Sequence, residues 1–163
     1  MQIRRATLAD AAAVRDIIDE VYVRGGWADP DTSPEYVRSL LAAEDRIADT
    51  TVLLAMIDGR PVGTVTAAER SPFANIAVPG ELEVRMLGVL PLARRQGVAH
   101  ALMAACEDLA RQRGRHHVVL STEPEMTAAR TLYERRGYVR TPERDWSING
   151  FGLITYARGV MLP

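Results

Sequence analysis

The sequence predicts an α/β fold, a sandwich of helices on a mixed sheet, and three observations carry that prediction. Short apolar, β-branched segments alternate with segments whose apolar residues recur every three or four positions, in the order β-α-α-β-β-β-α-β-α-β-β. Glycines stand just beyond three helical segments, at 25–26, 114 and 137. The chain's 163 residues, 47% of them hydrophobic, match the size of one domain, which buries roughly 70% of its unfolded surface without metal or disulfide staples. Residues 1–163 are therefore expected to form a single domain.

Gln2 to Ala6 reads as a short strand, and Thr7 with Asp10 three positions on forms a capping box for a helix through about Arg24. Val14, Ile17, Ile18, Val21 and Tyr22 give that helix one apolar stripe. Ser33 before Pro34 caps a second helix, in which Val37, Leu40 and Leu41 share a face. Thr51 to Ile57 and Pro61 to Ala68 read as a hairpin around the turn pair Asp58-Gly59. A polar loop from Glu69 to Gly80 precedes a strand at Leu82 to Leu90. There follow a helix from about Gly97 to Arg113, a strand at His117 to Ser121, a helix from about Met126 to Arg136, and strands near Tyr138 to Arg140 and Gly152 to Val160.

Twenty basic residues against 21 acidic ones leave a net charge of -1. Such a chain has no global field for polyphosphate, which excludes a nucleic-acid coat protein or a polybasic membrane binder. Any anion site must be local. One cysteine cannot make an internal bridge or a cysteine-rich zinc site, and His116-His117 has no partner at ligand spacing, so no metal is expected. No apolar run reaches signal-peptide or membrane-span length, so the expected location is cytoplasmic.

The local anion site has a candidate. The strand ending at Val89-Leu90-Pro91 runs into Arg94-Arg95-Gln96-Gly97-Val98-Ala99-His100 at the start of a helix. A helix N-terminus offers free N–H groups and the positive end of its dipole, Gly97 and Ala99 leave room for a bulky anion, and Arg94 or Arg95 adds charge. His100 either touches the same anion or faces solvent. The segment also reads as an ordinary strand, turn and helix, and it lacks the Lys and Ser/Thr of a nucleotide-phosphate loop.

The run Arg94 to Ala99 resembles the Arg/Gln-x-x-Gly-x-Gly/Ala signature of the GNAT superfamily of acyl-CoA-dependent N-acetyltransferases. Ala129-Arg130-Thr131-Leu132-Tyr133-Glu134-Arg135-Arg136-Gly137-Tyr138 is similar to that family's Ala-x-x-Leu-Tyr-x-x-x-Gly-Phe/Tyr segment, and the order of elements agrees over the whole chain. The resemblance implies a mostly antiparallel central sheet flanked by helices, with splayed strands forming an acyl-CoA cleft. It implies that Arg94, Arg95, Gln96, Gly97, Val98, Ala99 and His100 hold the pyrophosphate of acetyl-CoA, and that Leu87, Gly88 and Val89 pair with its pantetheine arm. A bulge near Gly88 is expected to open the cleft. Met126 stands seven residues before Tyr133, where members often carry Asn.

The implied reaction moves an acetyl group from coenzyme A to a primary amine by direct attack, with no activated nucleophile visible for a covalent intermediate. An amine must lose a proton and the departing thiolate benefits from one. Tyr133 is the expected acid, and Glu83, ahead of Glu81, the expected base. Tyr133 also reads as a core aromatic, and Glu83 as the partner of an arginine. Cys106, at helical spacing from Leu102 and Leu109, reads as a buried structural thiol. Trp27, Tyr36, Phe73 and Trp146 fall where the resemblance implies the acceptor side, with Asp29, Asp31 and Glu35 suited to a cationic amine. The acceptor class, small molecule or peptide, stays open, as does a homodimer through the last strands. A catalytically weak acyl-CoA-binding sensor is the alternative reading.

Overall fold

In the computed structural model, which describes residues 1–148 and 150–161, β1 (Gln2–Arg5) lies antiparallel to β2 (Thr51–Ile57), and β2 turns into β3 (Arg60–Ala68). The predicted turn forms with both residues left-handed, Asp58 at φ 48° and Gly59 at φ 74°. Contacts gather the residues into two units: 1–67 with 86–105, and 68–85 with 106 onward. The strand β4 (Glu81–Val89) contributes its first five residues to the second unit and its last four to the first.

In the first unit the strand order is β1-β2-β3-β4. The helix α1 (Ala11–Ile18) buries Val14, Ile17 and Ile18, as its apolar stripe predicts, and continues through Asp19–Val23 as a π-helical turn. The capping box is realised as an ion-supported start: Asp10 Oδ2 accepts the Thr7 N–H at 2.8 Å, and Arg4 pairs with both Asp10 oxygens at 2.8 and 2.7 Å.

The second predicted helix is α2 (Pro34–Leu41), and a further helix that the pattern does not reveal, α3 (Ala43–Asp49), follows directly after Ala42, whose ψ is 63°. The two helices serve two cores. Val37 and Leu40 of α2 pack with Ile18, Ala28 and Met86, whereas Ala43 and Ile47 of α3 pack with Val14, Val52 and Leu54. No breaker residue marks the position, so tertiary packing overrides local helix propensity.

The helix α4 (Val98–Gln112) precedes β5 (His117–Thr122), α5 (Thr127–Arg135), β6 (Val139–Arg140), β7 (Trp146–Ile148) and β8 (Phe151–Gly159). In the second unit β4 runs parallel to β5, pairing Glu81–Val84 with His117–Leu120, and β8 pairs antiparallel with β5, β6 and β7. The three-residue β7 is absent from the sequence reading. Pairing is thus mixed and mostly antiparallel, with helices, as predicted. Glu107, 3% exposed, is held by Arg136 at 2.7 Å, Arg158 at 2.7 Å and Tyr138 at 3.2 Å, which compensates its burial.

Candidate active site

The predicted anion loop lies wholly in the first unit. The Leu90 N–H donates to the Val62 carbonyl at 2.9 Å, Pro91–Ala93 forms a 3-10 turn, and α4 begins at Val98, which is 2% exposed. Between them Arg95 and Gly97 are both left-handed, at φ 64° and 77°. For Gly97 that conformation carries no steric cost, and a Cβ there would meet nothing within 4 Å, so the space beside it is open. The N–H groups of Val98, Ala99 and His100, in the first turn of α4, have no acceptor within the helix. Successive N–H groups around left-handed residues, followed by a helix start, form an anion-binding concavity. Arg94, Arg95, Gln96 and His100 are exposed around it. Gln96 is tethered to the Leu92 carbonyl at 3.1 Å.

Gly63, which the sequence reading passes over, makes this geometry possible. A Cβ on it would stand 2.9 Å from Val98 Cγ1 and 3.2 Å from the Gly88 carbonyl oxygen, so only glycine lets β3 pass this close to both. A glycine inside a strand is the signal that marks such close approach.

Close to the bulge expected near Gly88, the backbone irregularity of β4 is at Met86, whose φ is 51°; Gly88 itself is not left-handed. A Cβ on Gly88 would meet Ile18 and Val21 at 3.5–3.6 Å, and the Leu87 carbonyl accepts the Tyr22 hydroxyl at 2.9 Å. The π-helical turn thus presents Val21 and Tyr22 directly to Leu87 and Gly88. Such turns commonly accompany functional segments.

Glu83 and Tyr133 lie in the second unit, with separate sets of partners. Glu83 is 1% exposed, and its Oε2 accepts the N–H groups of Asn75, Ile76 and Ala77 at 2.7, 2.8 and 3.1 Å; its Oε1 lies 3.8 Å from Arg85 Nε. Glu81 pairs with Arg144 at 2.8 Å. Tyr133 is 6% exposed, between Tyr138 and Tyr156 with ring centroids 6.0 and 6.1 Å away. Burial foremost, then Cys106 and Tyr156, pushes its phenol above the usual tyrosine range, so it keeps its proton. Burial likewise pushes the Cys106 thiol up to about 12, in keeping with a structural thiol.

The surrounding candidates have local partners. Trp146 Nε1 donates to Ser121 Oγ at 2.9 Å, Arg130 reaches the Pro124 carbonyl at 3.0 Å and Tyr156 Oη at 3.3 Å, and Met126 Sδ accepts from Thr122 at 3.6 Å. Among the described residues, no group of three or more His, Cys, Asp or Glu could hold a metal ion, and no helix is long and apolar enough to cross a membrane.

Residues 12–138 match the profile of the acetyltransferase (GNAT) family. The chain is 28% identical over 141 residues to an uncharacterised N-acetyltransferase, YhfO, of Bacillus subtilis (strain 168), a match covering 85% of this chain and 89% of that one. Its fold is similar to PaiA N-acetyltransferase of Thermoplasma acidophilum in complex with coenzyme A, with a TM-score of 0.73, 12% identity and coverage of 94% and 96%. It is similar also to YncA of Salmonella typhimurium with its cofactor acetyl-CoA, with a TM-score of 0.66, 20% identity and coverage of 98% and 94%.

Proposed function

The chain belongs to the acetyltransferase (GNAT) family, and we propose that it transfers the acetyl group of acetyl-CoA to a primary amine by direct attack in a ternary complex. The observation that carries this reading is the left-handed turn at Arg95 and Gly97 leading into the free N–H groups that open α4, an arrangement suited to a diphosphate in a chain with almost no net charge. Arg94 and Arg95 add charge at its rim, and Leu87 to Val89 serve the pantetheine arm. Bound there, the cofactor supplies an activated acetyl thioester.

The chain's own residues orient that thioester and handle protons. The amine nitrogen attacks the carbonyl carbon, the C–N bond forms, the C–S bond breaks, and the amine's proton passes either to Glu83 or to solvent water. Tyr133 donates its hydroxyl hydrogen toward the departing sulfur, and any proton it gives up returns from solvent. Glu83 enters in one of two ways, as the base receiving the amine proton on Oε1 or as a group that organises the chain around it. The three amide bonds on Oε2 support the second.

Purified protein incubated with acetyl-CoA and a panel of small and peptide amines, with free thiol followed by a dye, tests the reading. Amine-dependent thiol release supports it, and none with any amine contradicts it. A catalytically weak acyl-CoA-binding module is the second reading, favoured by Met126 at the usual Asn position and by the engaged Glu83 carboxylate. Tight acetyl-CoA binding without amine-dependent release distinguishes it.

A further inference from the structure

Glu81, Glu83 and Arg85 occupy alternate positions of β4 and so project from one face. All three direct polar atoms at the backbone of the segment that immediately precedes the strand. Glu81 Oε2 accepts the Val78 N–H at 3.1 Å, Glu83 Oε2 accepts those of Asn75, Ile76 and Ala77, and Arg85 donates to the Phe73 carbonyl. Arg144 closes the set, binding both Glu81 oxygens at 2.9 and 2.8 Å and the Ile76 carbonyl at 2.7 Å. From Phe73 to Val78, donors and acceptors of the loop backbone are thus held by side chains.

Glu83 is the centre of this clamp. Three consecutive N–H groups converge on one oxygen, the arrangement by which a turn binds an anion, and here the anion is the chain's own carboxylate. The side chain is 1% exposed, Oε2 is saturated with donors, and Oε1 faces Arg85 Nε at 3.8 Å, so neither oxygen is turned toward solvent. A buried carboxylate is retained only with such compensation.

We infer that Glu83 is a positioning residue: its carboxylate holds residues 73–78 folded against the first half of β4 and exchanges no proton with the substrate. Only the kinetic consequences rest on the acetyl-transfer reading. Glu83→Gln preserves size but weakens the acceptor and sets an N–H donor among the loop's own donors.

In hydrogen exchange, this variant is expected to accelerate the amides of Asn75, Ile76 and Ala77 by about tenfold or more, with β5 unchanged. In kinetics, the acceptor KM rises, kcat stays within about tenfold, and the acidic limb of the pH profile stays in place. A kcat loss of about 100-fold or more with the three amides still protected identifies a base and overturns the inference. Arg85→Met leaves the carboxylate intact and cuts the Phe73 contact; faster exchange over 73–77 is expected, and unchanged exchange in both variants also overturns it. Exchange needs no substrate, so its result stands apart from any failure of the acetyl-transfer reading.

Discussion

Tyr22 Oη donates a 2.9 Å hydrogen bond to the Leu87 carbonyl, which ties the π-helical turn at Asp19–Val23 to the β4 segment just past the left-handed Met86. The bond gives the Leu87 carbonyl a side-chain partner from the helical segment. Tyr22→Phe keeps the ring and removes the donor. Stability to chemical denaturation is expected to fall by about 1 kcal/mol, and coenzyme A affinity by several-fold, measured by calorimetry.

Tyr133→Phe is expected to lower kcat by about 100-fold with the acetyl-CoA KM within about twofold of the parent, because the phenol's proton is used as sulfur departs. Steady-state kinetics with any acceptor that supports thiol release checks this. Unchanged turnover would remove Tyr133 as the acid.

Asp10 ties the start of α1 to β1. Hydrogen bonds from Arg4, then from the Thr7 backbone, hold its carboxyl well below the usual carboxylate range. A lowered folded-state value contributes stability that is present above the unfolded value near pH 4 and is lost as pH falls through the folded one. Asp10→Asn is therefore expected to destabilise by about 1 kcal/mol at pH 7, with the difference from the parent shrinking below about pH 4 in denaturation series.

Cys106 is wholly buried with its thiol pushed up to about 12, so the folded protein carries almost no thiolate at neutral pH. Iodoacetamide is expected to leave it unmodified in buffer and to alkylate it once denaturant unfolds the chain, as read by mass spectrometry. Rapid labelling of the native protein would contradict its burial.

Much of the fold was legible because local rules and packing agree. The Asp58-Gly59 hairpin, the α1 stripe and the glycine ends at Gly114 and Gly137, both left-handed, follow from residue chemistry alone. The turn from Arg94 into the helix start is legible for the same reason, since Gly97 takes a left-handed φ of 77° at no steric cost. What escaped depends on distant partners. Ala42 ends α2 where α2 and α3 turn to different cores, and the left-handed residue of β4 is Met86, a residue whose own preference gives no sign of it. The Glu83 clamp was invisible because alternation along β4 gives a face but not what covers it; here that is the backbone at residues 75–77.

Calorimetric titration of acetyl-CoA into the purified protein and into Gly97→Val measures whether the loop at Gly97 holds the cofactor. At Gly97 the Cβ has space, so the cost is conformational: the left-handed φ of 77° that aims the loop's N–H groups becomes strained for a β-branched residue. One-site binding by the parent and at least tenfold weaker binding by the variant, with its folded structure retained, are expected. No binding by the parent, or equal binding by both, would contradict that role of the loop.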